Sequence, residues 1–298
     1  MKITGSTRIT GIIGFPLTHT LSPAMQNTAF ESVGLDYVYV PMPVKPQDIE
    51  RAVKSIVPLG ICGVNVTIPY KEKVVEFLDC VTEEAKIIGA VNTIENTNNK
   101  LIGHNTDAEG FIISLTTDGN VIAENKHVLM IGAGGVARAI GVKLLVEKIA
   151  SLAVYDIESR KAKELCQRLG KYFPSASIKP INASQINDVL SGADILINAT
   201  PVGMNEADDR LLVSLNPEKF HKNMFIFDVV YNRETCLLKE ARKHRIKSEG
   251  GMGMLLYQGA LAFEIWTGKK APIKVIKQVL LENLSVENLP AGNGRERR

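Results

Sequence analysis

The stretch KHVLMIGAGGVARAIGVKLLVE, residues 126–147, decides the fold. An apolar run reads as a buried strand, a glycine cluster as a tight turn, and the apolar repeat from Val136 onward as a helix. Within GAGGVA, Gly132 permits the turn, Gly134 lets the backbone approach a pyrophosphate, and Ala137 takes the fingerprint's third small position. Gly132, Ala133, Gly134, Gly135 and Val136 then form a loop whose amides, with those of the helix start, hold phosphates. Glycines also serve plain turns, so the weight lies on the order strand, turn, helix. LAVYD, ending at Asp156, reads as the next strand, and Asp156 stands about where the fingerprint places its ribose-binding acid. A carboxylate there accepts from the ribose hydroxyls and repels a 2′-phosphate. The expectation is therefore NAD(H) in preference to NADP(H), with Arg160 and Lys161 as the counter-argument.

Outward from this unit, strand-like and helix-like segments alternate in both directions, which predicts an α/β fold. Upstream, ITGIIG, DYVYVPMPV and ICGVNVT read as strands. LSPAMQNTAFESVG reads as a helix capped by Ser22 and ended by Gly34. NTIENTNNKLIGHN reads as a hairpin, and TDAEGFIISLTTDG as a helix ending near Gly119. NVIAENK is polar and marks a boundary. Downstream, ADILINAT and FIFDVV are further apolar strands, and GMLLYQGALAFEIWTG is a helix stopped by Gly268 and Pro272.

The 298 residues suffice for two domains, and a net charge of +3 with scattered cations gives no reason to expect nucleic acid. No apolar run has the length of a membrane span. Cys62, Cys80, Cys166 and Cys236 lie far apart, and the five histidines show no ligand spacing. The expectation is a cytoplasmic protein with reduced thiols, no metal, a small-molecule substrate, no membrane partner, and a monomeric or homodimeric state. Residues 291–298, AGNGRERR, read as a disordered tail.

GVNVTIPYK, residues 63–71, raises a separate question, because an alternating strand ends by presenting Thr67, Pro69 and Lys71 in quick succession. Read alone, this is a strand stopped by proline with a solvated lysine beyond it. GFPLTHTLSPAMQN, NVTIPYK, GAVNTI, GHNTDAEG, GAGGVARA, NATPVGM, DVVYN and GMGMLLYQGALAFEIW change that reading. Together and in this order they resemble the shikimate dehydrogenases, over almost the whole chain from Ile12 to about Pro272.

The resemblance implies a discontinuous substrate domain, 1–108 with 250–290, and an inserted Rossmann-type nucleotide domain, 109–249. It implies reversible hydride transfer between a nicotinamide cofactor and 3-dehydroshikimate or shikimate in aromatic amino-acid (chorismate) biosynthesis. Lys71 resembles the family's catalytic lysine and Asp107 its partner. Thr20, Ser22, Thr67, Asn92, Tyr231 and Gln258 resemble the residues that hold the substrate's hydroxyls and carboxylate. Val229 and Gly251 resemble positions near the nicotinamide. Three departures stand out: Thr20 replaces the usual serine, Arg233 replaces a proline, and Asp156, Ile157 and Glu158 replace the Asn-Arg-Thr run of NADP-using members. The last points to the NAD-preferring shikimate/quinate branch.

The chemistry agrees with these roles. Moving a hydride to or from a secondary alcohol without a metal requires a side chain to move the proton. The ammonium of Lys71 can donate to a forming alkoxide, with Asp107 orienting it. Asn92 and Asn105 read equally well as turn formers, and Gln258 lies off its helix's apolar stripe. Quinate as the main substrate is the alternative reading, and a non-catalytic nucleotide-sensing protein is a remote one. The joint presence of Lys71, Asp107, Thr67 and Asn92 argues against the latter.

Overall fold

The computed structural model describes residues 2–17, 20–212 and 215–287. Two six-stranded sheets follow one another along the chain, each covered on both faces. The first is built from β1 (Arg8–Gly14), α1 (Ser22–Ser32), β2 (Tyr37–Pro43), α2 (Ile49–Lys54), β3 (Gly63–Val66), β4 (Cys80–Val81), α3 (Glu83–Ile88), β5 (Thr93–Thr97) and β6 (Lys100–His104). Its order is β2-β1-β3-β5-β6-β4. β2, β1 and β3 run parallel, whereas β5 pairs antiparallel with both β3 and β6. The hairpin expected at 92–105 is β5–β6, turned by Asn98 and Asn99 at φ 52° and 60°. Left-handed φ at both central residues is what a two-residue hairpin turn needs, and asparagine tolerates it. Helix α4 (Thr106–Thr117) follows.

The second sheet uses β7 (His127–Ile131), α5 (Gly135–Val146), β8 (Ser151–Tyr155), α6 (Ser159–Tyr172), β9 (Ile178–Pro180), α7 (Ile186–Leu190), β10 (Ile195–Asn198), β11 (Phe225–Asp228), α8 (Cys236–Lys243) and β12 (Lys247–Gly250). Every pairing is parallel and the order is β12-β11-β10-β7-β8-β9, the doubly wound arrangement. Alternate residues of the central strands divide between two cores: Val128, Met130, Ile195 and Ile197 on one face, Leu129, Ile131, Leu196 and Ile226 on the other. Burial on both faces explains why these strands read as unbroken apolar runs.

Helices α9 (Met252–Thr267) and α10 (Ile273–Glu287) return to the first sheet. Leu256, Phe263, Ile276 and Leu280 share a core with Met25, Phe30 and Tyr39. The fold is thus α/β with two domains, the second a Rossmann-like parallel sheet.

One expectation needs adjustment. Ser22 does not cap α1: it is the first helical residue, Leu21 holds the cap position, and the Thr20 hydroxyl accepts from the Ser22 amide at 3.3 Å. β12, sequence KSEG, has no counterpart among the strands read from sequence, because it is an edge strand only partly buried and carries no apolar alternation. The tail expected at 291–298 lies outside the described residues.

Candidate active site

Thr67 follows β3 directly, and its amide donates to the Ile13 carbonyl at 2.9 Å, so strand pairing continues to the sheet's carboxyl edge. Gly14 has no room for a side chain there, since a Cβ would run into the Thr67 methyl. Pro69 turns the chain, and the Lys71 carbonyl accepts from the Val91 amide at 2.7 Å. This bond clips the Lys71 loop to the approach of β5.

The Lys71 Nζ lies 2.7 Å from Asp107 Oδ2, with the two side chains only 20% and 10% exposed. Asp107 sits in the first turn of α4, where the helix N-terminus favours a carboxylate. Asn105 caps this helix: its Oδ1 accepts from the Asp107 and Ala108 amides, while its Nδ2 donates to the Ala90 carbonyl. Asn92 Nδ2 donates to Asp107 Oδ1 at 2.9 Å and to Thr106 Oγ1 at 2.9 Å. The structure therefore joins Lys71, Asp107 and Asn92 in one buried cluster.

The other expected residues are placed differently. Gln258 packs on Gly110, one turn beyond Asp107, where a Cβ would crowd the Gln258 backbone at 2.8 Å. Thr20 and Ser22 lie together at the start of α1. Tyr231 is partly buried and lines a cavity of about 490 Å³ with Asp118, Met252 and Lys277, at the far end of α4 from Asp107. Val229 and Gly251 adjoin each other, since a Cβ on Gly251 would strike the Val229 carbonyl. Arg233, the residue in place of proline, reaches Asp209 Oδ2 at 3.3 Å and anchors its loop.

At the glycine turn, Gly132 has φ +107°, and a Cβ on it would meet the Ala199 carbonyl at 2.8 Å. That contact joins β7 to β10, the point where strand order reverses and ligands bind. A Cβ on Gly134 or Gly135 would meet nothing within 4 Å, so open space lies above this backbone. No side chain caps α5, which leaves its first-turn N–H groups for a phosphate. Gly132 through Val136 thus fit a dinucleotide's pyrophosphate. Arg138, in the first turn of α5, forms an ion pair of 2.7 Å with Glu72, the neighbour of Lys71. The glycine turn and the lysine loop are consequently close together.

Sequence reasoning missed the residues beneath the cluster. Tyr39, Asn65, Thr93 and Thr106 are buried and hydrogen-bonded behind Asn92. The available signal was Asn65, an amide in a strand whose every residue is buried. Asp228, ending β11, is a second such group: Asn198, Thr235 and the Val230 amide donate to it, and burial pushes its carboxyl up to about 6. Among the described residues no helix is long and apolar enough to cross a membrane, and no group of three or more His, Cys, Asp or Glu could hold a metal ion.

The chain matches three family models: the shikimate dehydrogenase substrate binding domain over residues 12–94, shikimate / quinate 5-dehydrogenase over 118–237, and the shikimate 5′-dehydrogenase C-terminal domain over 251–281. A protein of Desulforamulus reducens named Shikimate dehydrogenase (NADP(+)) is 40% identical over 285 residues, covering 94% of this chain and 96% of its own. A shikimate dehydrogenase solved in complex with NADP+ superposes with TM-score 0.87 at 36% identity, covering 95% of this chain and 98% of its own. A shikimate 5-dehydrogenase from Listeria monocytogenes, solved with shikimate and NAD, gives 0.88 at 31% identity, covering 94% and 98%.

These findings correct one expectation. The preference for NAD(H), and with it membership of the NAD-preferring branch, does not stand, because curated relatives of this chain are named for NADP(+). The geometry gives the physical reason. Asp156 Oδ2 accepts from the Ala133 amide and Oδ1 from the Glu158 amide, both at 2.8 Å. An acid at the end of β8 is thus accounted for by its structural bonds and is no sign by itself of a ribose contact. With matching models along most of its length and relatives at 40% identity over nearly all of it, the chain belongs to the shikimate dehydrogenase family.

Proposed function

We propose that this chain interconverts 3-dehydroshikimate and shikimate with NADP(H), Lys71 and Asp107 handling the proton. The observation that carries this reading is the buried Lys71–Asp107–Asn92 cluster beside the glycine turn. When bound, the nicotinamide takes up or supplies the hydride. In the reducing direction Lys71 donates a proton to the oxygen that becomes the alcohol, while Asp107 holds the ammonium in place and accepts from a neighbouring substrate hydroxyl. In the oxidising direction the same pair receives the hydroxyl proton. Thr67 adds a polar contact to the ring hydroxyls, and Asn92 holds Asp107 for them. Thr20 and Ser22 receive the carboxylate, and Gln258 closes the site from the side of α9.

Cofactor phosphates rest on the turn Gly132–Val136 through the amides of Gly134, Gly135 and Val136, with Asp156 holding the Ala133 amide and so shaping that turn. Val229 and Gly251 flank the nicotinamide. The 2′-phosphate is met by Arg160 and Lys161, which are exposed on the first turn of α6 and pair with Glu164 and Glu158. The substrate domain comprises 1–108 with 250–290, and the nucleotide domain 109–249. The quinate alternative is not favoured, since relatives near 40% identity are named for shikimate.

Initial rates with shikimate and quinate, each against NADP+ and NAD+, test the reading. Shikimate with NADP+ should give the highest kcat/KM. A higher value for quinate, or no turnover of shikimate with either cofactor, would overturn it.

A further inference from the structure

The Lys71–Asp107–Asn92 cluster rests on a buried chain of hydrogen bonds whose donors can be assigned one after another. Tyr39 has one hydroxyl proton and donates it to Asn65 Oδ1 at 2.7 Å. This turns Asn65 Nδ2 toward Thr93 Oγ1, at 3.0 Å, and toward the Asn92 carbonyl, at 3.2 Å. Having accepted from Asn65, the Thr93 hydroxyl has its own proton for Asn92 Oδ1, 3.1 Å away. The Thr106 amide donates to the same oxygen at 2.7 Å. With the Thr106 amide and the Thr93 hydroxyl donating to Oδ1, and the Thr106 hydroxyl 3.2 Å from it, Asn92 aims Nδ2 at Asp107 Oδ1. A reversed Asn92 amide would set its NH2 against the Thr106 N–H, donor facing donor, at a residue only 2% exposed.

Tyr39, Asn65 and Thr93 are 1%, 6% and 0% exposed. Trp266 lies 6.0 Å from the Tyr39 ring and donates its indole N–H to the Ile94 carbonyl, which holds α9 over this floor. Strands β2, β3 and β5, the first separated from the other two by β1, thus contribute to one line of polar groups that leads to Asp107 and Lys71.

We propose that Tyr39, Asn65 and Thr93 are positioning residues: their hydrogen-bond chain supports the orientation of Asn92 that turns its donor side toward Asp107. The assignment rests on Lys71 and Asp107 being the proton-handling pair. Loss of the Thr93 hydroxyl acts directly on Asn92 and so on kcat. Loss of the Tyr39 hydroxyl acts on the same pair through Asn65, and more weakly.

The test is steady-state oxidation of shikimate with NADP+ by the full chain, as Thr93→Val, Thr93→Ser, Tyr39→Phe and Lys71→Ala, with thermal unfolding of each. Thr93→Val should lower kcat about tenfold or more with shikimate KM within about threefold, the worth of an unmade buried hydrogen bond acting on the reaction rather than on binding. Thr93→Ser, which keeps the hydroxyl, should stay within about threefold of the unaltered chain. Tyr39→Phe should lower kcat by about threefold or more. A folded Thr93→Val with unchanged kcat, or a Thr93→Ser as impaired as the valine variant, overturns the proposal. Should Thr93→Val not fold, Tyr39→Phe decides, and unchanged kcat in it overturns the proposal as well. Full activity in Lys71→Ala would remove the underlying pair. An inactive Lys71→Ala beside an unaffected Thr93→Val would remove the positioning role alone.

Discussion

Asp156 shows how a residue can be located well and interpreted wrongly. Its place just beyond β8 was legible, because the strand, the glycine turn and their spacing all lie in one short stretch. What its carboxylate touches was not, since the Ala133 amide comes from a different loop and meets it only in the folded chain. The same local reading named Arg160 and Lys161 but ranked them second. With NADP(H) as the cofactor, these two become the cations that meet the 2′-phosphate. An Arg160→Ala, Lys161→Ala double variant should lose about ten- to a hundredfold in kcat/KM for NADP+, the worth of charge-assisted hydrogen bonds, and little for NAD+. Equal losses with both cofactors would place the effect elsewhere. Thr93 and Asn65 were illegible for a related reason: a polar residue inside an apolar strand declares a buried partner without saying which one.

Elements were read best where the chain carries its own punctuation. Asn98 and Asn99 announce the β5–β6 turn, and Gly268, at φ +65°, ends α9. Strands β4 and β12 had no such signal: one has two residues and the other is a polar edge. Asn105 is the informative intermediate, a turn former by sequence and a helix cap in the structure. Asn105→Ala should destabilise the chain by about 1–2 kcal/mol, as removal of a good N-cap does, and lower kcat because Asp107 lies in the turn it organises. Urea unfolding and initial rates check both parts. Asp228 offers a pH test at the end of β11. Burial pushes its carboxyl from an ordinary 3.8 up to about 6, so folding favours the protonated form. The group costs nothing below the ordinary value, and its cost grows as pH rises through the folded one. Asp228→Asn removes that cost. The Tm of the variant minus that of the unaltered chain should therefore rise between about pH 4 and 6.5. A difference that is flat or falls with pH would contradict the sign.

At the scale of the whole molecule, side chains from the second sheet's helices reach the first unit on both sides of the lysine loop. Arg168 on α6 donates to the Ile87 and Lys86 carbonyls at the end of α3, at 3.0 and 3.1 Å. Arg138 on α5 pairs with Glu72. These contacts bring a glycine turn suited to phosphates next to a lysine held by a buried aspartate. The return of α9 and α10 to the first sheet brings Gln258 beside α4. The proton-moving role proposed for Lys71 is read out by kcat for shikimate with NADP+ in Lys71→Ala, with shikimate affinity determined separately by calorimetry. kcat should fall by about 10²–10⁴-fold, the usual worth of a positioned general acid or base, with shikimate still bound. Turnover within about threefold of the unaltered chain would contradict it.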